Sequence, residues 1–330
     1  MIDMNQPDIK FAIEAVRQSC ALAQQVQAGM KVEGLAKGDL SPVTVADFAV
    51  QALIGKGFQE HLSGATLVGE ESSEMLQTGD GAETLARVRE FIAPFAEGAS
   101  NTAVCDWIDQ GTGEPGDRYW TLDPIDGTKG YLRGEQYAIA LGLVENGEVQ
   151  FGILGCPNLG EGCAPDMGAG IVAVAQRGNG AYYSSAGKDF QPLHASPQTD
   201  PTQARIMRSV ESGHTNVGEI DYIAEKLGVI AEPVRLDSQA KYAVLAAGGA
   251  EMLLRLMSPK YPNYKECIWD QAAGSIVLEE AGGRITDLKG NALDFSHGRK
   301  LLQNTGVFAS NGHLHDVSLE AIQAVCNLPE

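Results

Sequence analysis

The sequence predicts a mixed protein of two packed lobes, the first α+β around an antiparallel sheet and the second α/β. Three observations carry this. At 330 residues the chain is too long for one simple core. In "YAIALGLVENGEVQFGIL" apolar residues alternate on both sides of Asn146-Gly147, the pair preferred in two-residue hairpin turns. Beyond residue 203 the pattern changes to strands alternating with helices. Residues 187–203, rich in Pro, Ser and Asp, mark the boundary, so the lobes are expected at 1–195 and 196–330.

The elements follow in order. Residues 8–28 carry helical apolar spacing at Ile9, Ile13, Val16, Cys20 and Ala23, with Gly29 as the stop. "SPVTVADFAVQALIGKGFQEHL" reads as a second helix with Asp47 in its first turns, and residues 65–68 as a short strand running into Glu70-Glu71. "AETLARVREFIAPF" is helical and ends near Pro94, whereas the Gly-rich, polar residues 96–118 read as a mobile loop. After the hairpin at Asn146-Gly147, "GIVAVAQRGNGAYYSS" forms a second one. In the second lobe, RIMRSV, PVRL, EMLLRL and RITD are strands. "EIDYIAEKLG", "DSQAKYAVLAAGGA" (capped by Asp237 or Ser238) and "IWDQAAGSIVLEEAGG" are helices, the last closed by Gly282-Gly283.

Composition narrows the class. With 44% hydrophobic and 20% charged residues the chain folds rather than remaining disordered. No apolar run approaches the roughly 18 residues of a membrane helix. The start lacks the layout of a secretion signal, and the six cysteines are scattered without a C-x-x-C pair. Reduced thiols in the cytoplasm are expected, or in an organelle if a transit peptide has been removed. Cys156 and Cys163 are close enough in sequence for a redox pair; buried, incidental thiols are the other reading. The formal charge of −19 repels polyanions, which excludes long nucleic acid as a partner and directs attention to bound cations.

The chemistry-bearing residues are acidic. In "LDPIDGT" Pro124 forces Asp123 into extended backbone and ends the strand abruptly. A tight turn there aims two carboxylates, Asp123 and Asp126, and the Ile125 carbonyl at one point, an oxygen set suited to Mg2+. Gly127 permits close backbone approach, Thr128 adds a hydroxyl, and a helix starting there offers N–H groups to a phosphate. An ordinary Asx-rich turn explains the same residues. Glu70-Glu71, Asp270 at a helix start and Asp47 each have a bland reading too, as solvated loop or helix-dipole residues. His313 and His315 are either soft-metal ligands or loop histidines. Walker, dinucleotide-binding, nucleophile-elbow and H-E-x-x-H motifs are absent from the sequence.

Taken together, "VGEES", "LDPIDGTKGYLRG" and "IWDQAAGSIVLEEAGG" resemble the inositol monophosphatase superfamily, which comprises magnesium-dependent, lithium-sensitive phosphatases of small phosphate esters. "SPVTVADFAVQ", "KGYLRGEQYAIALGLVENGEVQFGILGCPNL" and "LDSQAKYAVLAAGGAEMLLRL" are similar to one branch of it, the 3'(2'),5'-bisphosphate nucleotidases. The resemblance spans residues 8–312 and implies a layered αβαβα sandwich of the inositol monophosphatase/fructose-1,6-bisphosphatase type. It implies two or three Mg2+ ions on Glu70, Asp123, Ile125 (through its carbonyl), Asp126 and Asp270. Asp47 and Thr128 would activate the attacking water, and the Gly127-Thr128 backbone would receive the scissile phosphate. His214, Ser238, Lys241 and Arg255 would bind the nucleotide. Gln271 and Cys267 depart from the branch pattern, which usually has His and Lys there, and "SPKYPNYKEC" is slightly longer than usual, which together put an adenine contact at Tyr264 in doubt; residues 96–118 also fit the branch poorly.

The expected function is therefore hydrolysis of adenosine 3',5'-bisphosphate to AMP and phosphate by a monomer, with the sulfated relative as a further substrate. An inositol (poly)phosphate phosphatase of the same fold is the alternative enzyme. A non-catalytic nucleotide or redox sensor is the alternative of another class.

Overall fold

The computed structural model describes residues 2–32, 41–185, 187–210, 217–258, 260–261 and 263–326. Helices α1 (Pro7–Val32) and α2 (Pro42–His61) lie side by side over one face of a seven-stranded sheet. That sheet runs in sequence order: β1 (Leu67–Gly69), β2 (Arg118–Asp126), β3 (Ala138–Glu145), β4 (Glu148–Cys156), β5 (Ile171–Gln176), β6 (Gly180–Ser185) and β7 (Gln191–Pro192). Only β1 and β2 are parallel; the other neighbours pair antiparallel. The second sheet has the order β11-β12-β10-β8-β9, from β8 (Ile206–Arg208), β9 (Val234–Arg235), β10 (Met252–Arg255), β11 (Arg284–Thr286) and β12 (Val307–Ser310).

Alternation along each strand sorts side chains between layers. In the first sheet the larger residues Trp120, Leu122, Ile139, Leu141, Phe151 and Ile153 join the core under α1 and α2. The opposite face mixes larger residues such as Tyr119 and Leu154 with the small Ala138, Ala140, Ala173 and Ala175. There α8 (Ala272–Glu280) packs so closely that a Cβ on Gly152 would lie 2.5 Å from Ile276 Cγ2. Alternation in the second sheet sends Met207, Leu253, Val307 and Ala309 toward α8 and α7 (Ala240–Ala246). Its other face sends Ile206, Met252, Leu254 and Phe308 toward α6 (Val217–Leu227) and α9 (His315–Val325). The result is five layers, αβαβα, as expected.

Three local expectations are corrected. Helix α1 continues through Gly29, whose bare Cα fits against the Phe91 ring; a Cβ would come within 3.0 Å of it. Residues 96–118 are not a mobile loop. They contain α4 (Asn101–Ile108), capped by Ser100 Oγ, which buries Val104, Cys105 and Ile108 against α2, with α3 (Ala82–Ile92) beside it. The helix after Asp237 starts later than expected, with Gln239 at its cap, although Ser238 Oγ still accepts from the Ala240 N–H at 3.1 Å. Among the described residues no helix is long and apolar enough to cross a membrane.

Candidate active site

The turn at Asp123–Thr128 has a mechanical origin. Asp123 pairs with Ala140 and Asp126 with Ala138, so β2 spends one residue more than β3 and bulges. Pro124 sits in the bulge, where its missing N–H leaves no gap in the ladder. Gly127 then adopts φ 89° and ψ 45°, and the six-residue helix α5 (Thr128–Arg133) begins directly behind it. No L side chain fits there: a Cβ on Gly127 would stand 2.7 Å from Ser238 Cβ. The first sheet's turn is thereby pressed against the loop before α7.

A cleft of about 310 Å3 opens at this junction. One wall carries Glu70, Asp123, Ile125, Asp126, Gly127 and Thr128; the other carries Ser238, Lys241, Arg255 and Asp270. Glu70 leaves the end of β1, held by its N–H to the Leu122 carbonyl at 3.2 Å. Asp270 precedes α8 rather than lying in its first turn. Asp47, on α2, is buried behind the acidic wall and does not line the cleft, and its Oδ1 finds no hydrogen-bond partner. His214 lies outside the described residues. His313 and His315 stand apart, His315 being buried between Thr286 Oγ1 and Ser310 Oγ.

The acidic wall is electrostatically frustrated. Burial, then Glu70, Asp126, Asp270 and Asp47, push the Asp123 carboxyl well above its ordinary range, and its Oδ1 is also unpartnered. Asp270 is raised by burial, which Arg255 offsets in part, and Asp47 by burial and then Glu71 and Glu70. Glu70 is exposed at the mouth by surface area, yet enough protein surrounds its carboxyl for burial to lead, and it is pushed up to about 7. Asp126 is raised less, because Arg255, Lys241 and a backbone hydrogen bond oppose burial. Among the described residues no three His, Cys, Asp or Glu side chains are gathered tightly enough, as they stand, to grip one metal ion.

The opposite wall is basic and braced. Lys241 is buried, donates to Ser209 Oγ at 3.1 Å, and is pushed down to about 8 by burial and by Arg255. Arg255 pairs with Glu266 at 2.6 Å and lies 3.9 Å from Asp270. Gln271 donates to Glu266 at 3.0 Å and accepts from Tyr242 at 2.5 Å, so the departure from His leaves a closed hydrogen-bond chain behind Arg255. Tyr264 lines the cleft and is 46% exposed, which leaves its ring free to meet a planar ligand.

Two residues that the sequence reading passed over hold the walls in place. The Gln239 N–H donates to Asp126 Oδ2 at 2.5 Å, while its side chain donates to the Trp269 carbonyl and accepts from the Gly274 N–H. Gln51, one turn beyond Asp47 on α2, accepts from the Glu71 N–H at 3.0 Å and donates to the Glu71 and Ile108 carbonyls. Their only trace in the sequence is placement: Gln239 inside "DSQAK" and Gln51 four residues after Asp47.

Comparison with known proteins places this geometry in context. A model of the inositol monophosphatase family matches residues 4–326. The chain is 40% identical to a 3'(2'),5'-bisphosphate nucleotidase of Oryza sativa over 96% of its own length and 93% of that protein. With one of Emericella nidulans it shares 38% identity over 95% and 97%. Among solved structures, an inositol monophosphatase from Anabaena superposes with a TM-score of 0.65, at 20% identity and 98% coverage of both chains.

Proposed function

We propose, from the premise that the chain belongs to the inositol monophosphatase family, that it is a 3'(2'),5'-bisphosphate nucleotidase acting on adenosine 3',5'-bisphosphate. The observation that carries this is the cleft's polarity. Glu70, Asp123, Asp126 and the Ile125 residue gather on one wall, beside Lys129, and the cations Lys241 and Arg255 on the other, beside Asp237 and Asp270, within about 310 Å3. Such a site suits a ligand with two phosphates, one met by metal and one by protein cations. The long relatives named as bisphosphate nucleotidases support the same substrate class.

The donor set fits Mg2+ in kind, being all oxygen, with a buried, unpartnered oxygen on Asp123 and carboxyls whose mutual repulsion a cation relieves. Glu70, Asp123, Asp126, Asp270 and the Ile125 carbonyl would hold it, once their side chains draw together from their present placement. Bound Mg2+ supplies charge neutralisation and acidifies water.

The protein's own groups do the rest. The Gly127-Thr128 backbone orients the scissile phosphate, and the Thr128 hydroxyl positions a water, with Asp47 behind it as the proton acceptor. Lys241 and the planar Arg255 fork bind the phosphate that is not cleaved, with Ser238 beside them. Tyr264 offers a face to adenine. The sulfated relative keeps the 3'-phosphate and carries a phosphosulfate in place of the 5'-phosphate. The division of labour between a 1–195 lobe and a 196–330 lobe is part of this reading.

The test is phosphate release from adenosine 3',5'-bisphosphate with Mg2+ and after chelation. Release that is abolished by chelation and restored by Mg2+ supports the reading. Binding of the nucleotide with no turnover would make the protein a sensor instead.

A further inference from the structure

We propose that Arg299 is a positioning residue that sets the reach between the Glu70 and Asp270 carboxylates, an inference that rests on the metal reading above. Arg299 lies in a segment paired with the stretch before Asp270. Its carbonyl accepts from the Ile268 N–H at 3.1 Å, the Leu301 N–H donates to the Glu266 carbonyl at 3.0 Å, and Cys267 and Lys300 form a β-bridge. From there its guanidinium crosses to the opposite wall. Nη1 donates to the Gly113 carbonyl at 3.1 Å, and Nη2 donates to the Gly69 carbonyl. The same guanidinium lies 5.0 Å from the centre of the Trp269 ring.

Gly69 directly precedes Glu70, and Trp269 directly precedes Asp270. One planar side chain thus fixes the residue before each carboxylate, on opposite walls of the cleft, without lining the cleft itself. The β1 end it grips is already rigid: the Gly113 N–H donates to the Leu67 carbonyl, and a Cβ on Gly69 would lie 2.5 Å from Gln51 Oε1. Small displacements at Arg299 therefore pass through stiff backbone to Glu70. A lysine has the charge but not the fork that spans two carbonyls while stacking on an indole.

The experiment is Mn2+ binding without substrate, by titration calorimetry, on wild type, Arg299→Gln and Arg299→Lys, with kcat and KM measured beside it. Arg299→Gln should weaken Mn2+ binding about 10- to 100-fold. Its kcat should fall at fixed Mg2+ and recover as Mg2+ is raised, with the nucleotide KM within about twofold of wild type. Arg299→Lys should be intermediate. If Arg299→Gln fails to fold, Arg299→Lys decides alone, through Mn2+ binding several-fold weaker than wild type. Wild-type Mn2+ affinity and kcat in the folded variants would overturn the role of Arg299 only. Wild type that binds no Mn2+ would overturn the metal reading, and this role with it.

Discussion

The backbone N–H of Gln239 donates to Asp126 Oδ2 at 2.5 Å, tying the turn after β2 to the start of α7. Asp126 lines the cleft, and Arg255, then this bond and Lys241, keep its carboxyl from rising as far as those of Asp123 and Asp270. A carboxylate fixed in this way orients a cation and survives as a geometric feature when its charge is removed.

Asp126→Asn should therefore fold with a melting temperature close to wild type, since the amide oxygen still accepts from Gln239. Its kcat should fall about 100-fold or more, by analogy with deleting one preorganised electrostatic stabiliser. Melting curves and steady-state kinetics check this pair of expectations. Unchanged turnover would remove Asp126 from the site.

Lys241→Met keeps most of the buried volume and relieves the repulsion between Lys241 and Arg255. Stability should hold or rise slightly, while KM for the bisphosphate should increase about tenfold, the loss of one charge-assisted hydrogen bond. A substrate with a single phosphate should be affected much less. Equal effects on both substrates would assign Lys241 to the scissile phosphate or to structure.

Gly127→Ala meets two penalties, φ 89° and a Cβ 2.7 Å from Ser238 Cβ. The expected destabilisation is about 1–3 kcal/mol, with kcat reduced as Thr128 shifts. Ser238 itself holds φ 68°, so Ser238→Gly should relieve both its own strain and the clash, and the double variant should be more stable than the sum predicts. Strict additivity in a thermal-unfolding cycle would contradict the contact.

His315 tests the fold away from the cleft. Burial, with Arg284 nearby, pushes its imidazole down to about 4 from an ordinary 6.5. Its neutral form is favoured in the folded state, so the stability it contributes is present above pH 6.5 and is lost as pH falls toward 4. Wild type should lose melting temperature between pH 7 and 5 more steeply than His315→Gln, a comparison that cancels the other titrating groups. Parallel curves would contradict the burial argument.

Much of the fold was legible because its signals are local. Alternation around Asn146-Gly147 and the apolar spacing of α1 need no partner to be recognised. The misreadings have tertiary causes. Helix α4 has only three buried apolar positions among polar residues, and it is stable because α2 and α3 cover it. Gly29 looks like a helix end until Phe91 fills the space beside it. At the site, the acidic residues stood out as D-P-x-D-G-T and as Glu70, Asp270 and Asp47. Gln51, Gln239 and Arg299 did not, because their side chains work on backbone groups far away in sequence. No residue pattern marks a glutamine or arginine for such a partner.

The central claim is the substrate, and it is tested most directly by kcat/KM for phosphate release, with Mg2+, across adenosine 3',5'-bisphosphate, its 2',5' isomer, the sulfated form and inositol phosphates. The cleft's paired charges predict that adenosine 3',5'-bisphosphate leads inositol monophosphate by about 100-fold or more, a difference of roughly 3 kcal/mol from Lys241 and Arg255 together. Inositol phosphates hydrolysed as well as the nucleotide, or better, would contradict it.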